Sequence, residues 1–147
     1  MKIRNFIIIT AITLVSLTFN GCGKTDTDKE WEETLIGYWI PQDESGNKWD
    51  PCYLFKEGHR GESFIRKHPD NRDEFGWEIK RKQLKTFYDK APSYLIGYDK
   101  YNRQGVYKIK SVEQDKIKVI QMTSDGLQRE YFLVRGNIND IEDNEDN

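Results

Sequence analysis

Histidine and cysteine are scarce in this chain, with two of each in 147 residues. A catalytic zinc needs three protein ligands that converge. His59, His68 and Asp70 are the one imaginable set, and the two histidines fall in different predicted turns, so they read as solvated loop residues. The motifs of nucleophilic and phosphate chemistry are missing as well. There is no Gly-x-Ser-x-Gly elbow, no glycine-rich phosphate loop and no His-Glu-x-x-His. Adjacent carboxylates occur at Asp43-Glu44 and Asp73-Glu74, but in predicted loops, where neighbouring acids are simply hydrated. Nothing here points to a reaction, a metal or a cofactor, and the expectation is a protein that is not an enzyme. A strong charge bias is also lacking. Lys and Arg number 23 against 25 Asp and Glu, which is not the basic stripe that nucleic acid requires.

Long apolar runs are absent after residue 19. The one that exists, Phe6 to Phe19, follows Lys2 and Arg4. A charged start, an apolar stretch of this size and a small-residue end make a secretory signal. The run is short of the roughly 20 residues that a spanning helix needs. It closes on Phe19-Asn20-Gly21-Cys22, which resembles a bacterial lipobox, with Phe19 where Leu is usual and Asn20 where Ala or Ser is usual. Such spellings are familiar in lipoproteins of the Bacteroidota. The resemblance implies cleavage before Cys22, acylation of its thiol and partnership with a membrane. Each buried methylene of an acyl chain adds about 0.8 kcal/mol to anchoring. Gly23 follows where Asp would retain a lipoprotein at the inner membrane, so the resemblance implies the outer membrane, on its periplasmic or cell-surface side. The alternative is an ordinary secretory signal with Cys22 a plain thiol. Lys24–Asp28 reads either as an acidic surface-export signal or as a solvated tether.

The expected organisation is a signal peptide over 1–21, a lipidated tether over 22–32, one folded domain over 33–136 and an acidic disordered tail over 137–147. The tail "NINDIEDNEDN" holds five acids and no base, whereas 33–136 holds 19 bases and 16 acids. With Cys22 acylated, Cys52 has no partner and reads as a small buried hydrophobe or as a reactive thiol.

Thr27-Asp28-Lys29-Glu30 fits a capping box, which predicts one or two helical turns over "KEWEETL". Helix signals then nearly stop. Short runs rich in Tyr, Phe, Trp, Ile and Val, punctuated by Gly, Pro, Asn and Asp, predict strands at about 35–40, 51–56, 61–66, 75–81, 83–89, 94–99, 104–112, 116–123 and 127–135. In "VYKIKSV" and "KIKVI", Tyr107, Ile109, Ile117 and Val119 alternate with Lys108, Lys110, Lys116 and Lys118. Period two puts the apolar residues on one face and the lysines on the other. Longer loops are predicted at Pro41–Asp50 and Lys67–Glu74. The fold class is all-β, an antiparallel meander of eight or nine strands. Closure into a barrel hides both the edges and the apolar face; a sandwich is the alternative architecture.

"LIGYWIP" carries Gly37-Tyr38-Trp39, which resembles the Gly-x-Trp of the first strand in lipocalins and related small barrels. Arg135 in "YFLVRG" stands where that family has a basic residue packed over the Trp. "YLFKEGHRGESF", "GWEIKRKQLKTF" and "YKIKSVEQDKIKV" follow the rhythm of bacterial lipocalin-like domain lipoproteins over about 34–136. The resemblance implies a lipocalin-like barrel closed at its base by Gly37, Trp39 and Arg135, with a small amphipathic or hydrophobic ligand inside.

Seventeen of the 19 aromatic residues fall after residue 21. Alternation points Tyr53, Phe55, Phe64, Trp77, Tyr94, Tyr98 and Tyr107 inward. An eight-stranded barrel is just wide enough to be filled by side chains or to hold one small ligand, so these rings are either core or the lining of a pocket. Lys80, Arg81, Lys82, Lys85 and the hairpin lysines make an outer face that is either solvated or a site for an anionic glycan or lipid headgroup. Two functions stay open: a small-molecule binder, or an interaction module that contacts a protein or glycan partner at the cell envelope.

Overall fold

The structure, a computed structural model, describes residues 23–90, 104–123, 125–137 and 139. The expected signal peptide, Cys22, the predicted strand 94–99 with Tyr94 and Tyr98, and nearly all of the acidic tail lie outside the described residues. Among the described residues one α-helix, α1 (Asp26–Leu35), precedes eight strands: β1 (Gly37–Gln42), β2 (Cys52–Lys56), β3 (Arg60–Ile65), β4 (His68–Lys80), β5 (Gln83–Tyr88), β6 (Gln104–Val112), β7 (Lys116–Met122) and β8 (Gln128–Arg135). Each strand pairs antiparallel with the next, and β8 pairs with β1 through Trp39↔Arg135 and Ile40↔Val134. The sheet is therefore a closed barrel of eight strands, which leaves no edge to be protected.

The alternation of the sequence decides which side chains enter. Trp39, Phe55, Trp77, Ile79, Leu84, Tyr107, Ile109, Ile117, Val119 and Leu133 are buried in one interior cluster. Lys108 and Lys110 stand exposed on the opposite face of β6. Residues 67–74, expected as a loop, are mostly strand. β4 runs back past Glu74 because its register with β3 continues through Ser63↔Asp73 and Phe64↔Arg72. Its polar composition conceals this, since polar side chains there pair across strands, as Arg72 does with Glu62 at 2.9 Å.

α1 corrects two expectations. It has ten residues, so much of the expected tether is helix, and its cap is Thr25 and not Thr27. The Thr25 hydroxyl accepts from the Asp28 N–H, and the Asp28 carboxylate accepts from the Thr25 N–H, both at 3.1 Å. A tertiary contact selects this earlier start. The same carboxylate accepts the N–H of Arg81 and of Lys82, each at 3.0 Å. Arg81 and Lys82 form the β4–β5 turn with φ of 52° and 59°. Left-handed backbone costs a non-glycine residue about 1–2 kcal/mol, and the Asp28 clamp offsets it. Asp28 is fully buried. Burial pushes its pKa up, but the N–H groups of Lys82, Thr25 and Arg81 outweigh burial and hold it below the ordinary value.

The helix lies across one end of the barrel and closes it. Trp39 donates from its indole N–H to the Leu35 carbonyl at 2.6 Å. The Arg135 guanidinium stacks 4.4 Å from the Trp39 ring centre. It also donates to Thr34 O (2.7 Å), Ile36 O (3.0 Å) and Gln114 O (2.8 and 3.0 Å). Gly37 has φ of 126°, and a Cβ there would stand 2.8 Å from Arg135 Nη1. Gly-x-Trp and the distant Arg are thus one device: the glycine admits the guanidinium that covers the indole. Arg135→Lys keeps the charge but loses the planar fork. It is expected to cost about 2 kcal/mol, read as a lowered urea midpoint with faster amide exchange at the helix C-terminus.

Candidate functional site

The barrel interior changes character along its axis. At the end closed by α1, rings pack on rings. Phe55 meets Phe75 at 5.5 Å and Trp77 at 5.4 Å, both edge to face. Phe55, Phe75 and Trp77 are each at most 3 % exposed. Trp77 donates its indole N–H to Arg60 O at 2.8 Å. The room for Phe75 comes from Gly61, where a Cβ would stand 2.5 Å from the Phe75 ring. Trp77, Phe55 and Phe75 are core residues.

Toward the other end, the mouth, the rings gain hydroxyls and exposure. Tyr53 is half-buried, lies tilted against Phe55 at 6.0 Å and meets Phe75 edge to face at 6.2 Å. Tyr107 is buried, and its hydroxyl bonds with Tyr53 and Thr86. Tyr88 is half-buried, lies 5.3 Å from Phe75 and donates to the buried Ser63 hydroxyl at 2.9 Å. Trp49 leans over the mouth from the β1–β2 connection, 5.1 Å from Tyr131, with the Arg129 guanidinium 4.5 Å from its ring. The Trp49 N–H donates to Pro41 O at 3.1 Å and holds that connection down. Burial raises the pKa of Tyr107 and Tyr131, so both phenols are neutral. The mouth therefore offers apolar rings with neutral hydroxyls and the Arg129 guanidinium over Trp49.

The sequence reading of the site is redrawn at several residues. Tyr53, Phe55, Trp77 and Tyr107 do enter the barrel, but Phe64 does not. The β2–β3 connection has three residues, Glu57–His59, and the resulting register pairs Phe55 with Gly61 and Cys52 with Phe64. Gly61 and Ser63 take the inward places, and Phe64 points out into a second cluster with Ile40 and Cys52. It is still fully buried there, with Arg72 4.7 Å from its ring and Tyr38 edge-on at 6.2 Å. Phe75, Tyr88 and Tyr131 were missed although the alternation carries them, since each stands two residues from an inward position. Trp49 lies in a connection, where no periodicity could have placed it.

Cys52 is a buried thiol with its pKa pushed up to about 12, by burial first and by the Asp50 carboxylate next. That is the chemistry of a packed side chain and not of a nucleophile. His59 and His68 stand at opposite ends of the barrel, so with Asp70 they do not converge. Among the described residues no group of three or more His, Cys, Asp and Glu side chains could hold a metal ion.

Two hollows flank α1 outside the barrel. One, about 390 Å³, is lined by Glu32, Glu33, Ile36, Glu57, Gly58, His59 and Trp77. The other, about 470 Å³, runs along the opposite flank past Trp31, Val112 and Arg135. The Glu32 carboxylate at the first accepts from Lys24 (2.5 Å), His59 (3.0 Å) and the Ile79 N–H (2.9 Å). Burial pushes its pKa up, and these partners together hold it below the ordinary value.

No family model matches this sequence, and none of the curated proteins is similar to it. Solved structures of similar course do exist. A lipocalin-like protein from Bacteroides uniformis ATCC 8492 superposes with a TM-score of 0.46 at 14 % identity, over 70 % of this chain and 99 % of its own. An uncharacterized protein from Bacteroides eggerthii DSM 20697 gives a TM-score of 0.44 at 13 % identity, over 69 % of this chain and 99 % of its own. At these identities the likeness is one of fold.

Proposed function

We propose that this chain is a non-catalytic binding protein that holds a small amphipathic molecule at the barrel mouth, tethered to the outer membrane through acylated Cys22. The observation that carries the reading is the grading of the interior. Half-buried Tyr53, Tyr88 and Trp49 ring the mouth, and below them Phe55, Phe75 and Trp77 are fully packed. The apolar body of a ligand would lie on the mouth rings. Its polar end would meet the Tyr53–Tyr107–Thr86 hydroxyl chain and the Arg129 guanidinium. A deeper ligand would have to displace packed rings, so the reading favours one that is short or shallow. The tether is compatible with this arrangement. Gly23 lies against Lys80 at the closed end, and one residue spans about 3.8 Å. An acyl group on Cys22 would thus leave from the end away from the mouth.

A thermal-melting screen of the chain from residue 22 onward, which contains every described element, tests the binding. A ligand that binds only the folded state adds about 2.7 kcal/mol at a hundredfold excess over Kd, or roughly 5–10 °C for a domain of this size. Hits are expected among fatty acids, bile acids or sterols. Trp49→Ala should abolish the shift and leave the barrel folded, because Trp49 sits over the mouth and outside the wall. A panel without a shift would overturn the reading. The interaction module would then be the better account, and the two hollows beside α1 would be its first surfaces to test.

A further inference from the structure

The described cations differ in their surroundings. Lys24, Lys56, Arg66, Arg72, Lys118 and Arg135 each lie within 3.3 Å of a carboxylate. Lys80, Arg81, Lys82, Lys85, Lys108 and Lys110 have no ion pair among the described residues. Lys29, Lys48, Lys67, Lys90, Lys116 and Arg129 are likewise without an ion pair among the described residues, but the former six are contiguous. Lys80 ends β4, Arg81 and Lys82 form the turn, Lys85 faces outward on β5, and Lys108 is paired with Gln83 on β6. Neighbouring strands lie about 4.8 Å apart, so these charges share one patch on the flank of the barrel. The acids beside it are few. Glu78 faces Lys85 across β4 and β5, Asp26 opens α1, and both Asp28 oxygens are taken by backbone N–H groups beneath the turn.

The turn itself carries a second observation. Two consecutive residues with positive φ call for Asn-Gly or its equivalents. Here they are Arg81 and Lys82, both exposed. A local rule broken at the surface, with a buried carboxylate devoted to holding it, is the mark of a functional position. A third observation concerns what adjoins the cations. Toward the mouth stand the exposed Phe87 (41 %), on the outward face of β5, and Met122 (40 %), on the neighbouring strand β7 beside Val106. Cations next to exposed apolar side chains match the layering of a bilayer interface, with phosphates outside and acyl chains beneath.

We infer that this β4–β6 flank is a docking surface for an anionic bilayer. The barrel lies on the membrane through it, with the phosphates on Lys80, Arg81, Lys82, Lys85, Lys108 and Lys110. Gly23 packs against Lys80, so an acyl group on Cys22 would enter the bilayer beside the patch. The position of the anchor rests on the proposed acylation; the surface does not, and the unacylated chain tests it alone.

The unacylated chain from residue 22 onward is mixed with vesicles of phosphatidylcholine, with and without phosphatidylglycerol, and sedimented. Binding is expected to the anionic vesicles only, and should fade as salt shortens the screening length below about 10 Å. Replacing Lys85, Lys108 and Lys110 by Gln removes charges that make no ion pair among the described residues. Each lysine near an anionic surface is worth about fivefold in affinity, so the triple variant should bind roughly a hundredfold more weakly. Lys48→Gln with Lys67→Gln, at the mouth end, is the control and should change binding by no more than about twofold. Equal binding to neutral and anionic vesicles, or an equal loss in the control, would overturn the inference, as would binding to an anionic polysaccharide without binding to vesicles. The melting shift at the mouth, measured on the same variants, separates failure of this surface from failure of the ligand reading.

Discussion

Asp28→Ala is expected to be the most damaging single substitution outside the barrel wall, at about 3–5 kcal/mol. Three backbone N–H groups, of Thr25, Arg81 and Lys82, would lose their acceptor. A buried donor without a partner costs about 1–3 kcal/mol, and the turn would keep its strained φ values without the clamp that compensates them. α1 should loosen from the closed end while the sheet persists, visible as accelerated exchange of helix amides before global unfolding. The pH dependence gives a further check. The Asp28 pKa is lowered in the folded state, so its contribution is fully present above the unfolded value of about 4 and is lost as pH falls through the folded value. The stability gap between wild type and Asp28→Ala should therefore be widest near neutrality and narrow in strong acid. Glu62 also has a lowered pKa, but it stands on β3 with Lys56 and Arg72, away from α1, and cancels in the difference. A gap that stays constant down to pH 2 would show that the carboxylate's charge is not what holds the turn.

Trp39→Ala should cost a similar amount, about 3–5 kcal/mol, for a different reason. The indole is fully buried, and truncating a buried aromatic side chain loses both its transfer energy and the volume that its neighbours cannot refill. Two further contacts go with it: the N–H donated to Leu35 O and the stack under Arg135. For a domain of this size the drop in melting temperature is roughly 10–20 °C. Trp39→Phe separates the parts, since it keeps much of the packing and loses the hydrogen bond. A melting temperature for Trp39→Ala within about 3 °C of wild type would mean that the closed end is not held through the indole.

Much of the fold was legible because strands advertise themselves locally. Tyr107, Ile109, Ile117 and Val119 are inward in the structure as their period of two requires. Gly37, Trp39 and Arg135 could be read as one closure because residues that close a barrel must lie on its first and last strands. The errors arose where a distant partner decides the outcome. Thr27 has a good local capping sequence, but the helix begins after Thr25 because Asp28 has its other partners 53 and 54 residues away. Phe64 looks inward by its own run, but the length of the β2–β3 connection sets its parity. β4 is longer than its apolar part because a polar strand is stabilised by its neighbour and not by a core.

The sequence by itself determined the class of structure, the inward and outward faces of most strands and the separation of the two histidines, all of which follow from alternation and turn chemistry over a few residues. Only the tertiary structure decided how the interior is used. Whether inward rings line a space or fill it depends on which rings meet inside the barrel: Gly61 lets Phe75 lie over β3 against Phe55, which also meets Trp77, while Tyr53, Tyr88 and Trp49 stay half-exposed at the mouth. Likewise only strand pairing and helix docking bring the start of α1, the β4–β5 turn and the outward lysines of β5 and β6 onto one flank. Lys108 stands beside Gln83 across 25 positions, and Asp28 reaches the turn across 53 and 54, distances that no local pattern in the chain encodes.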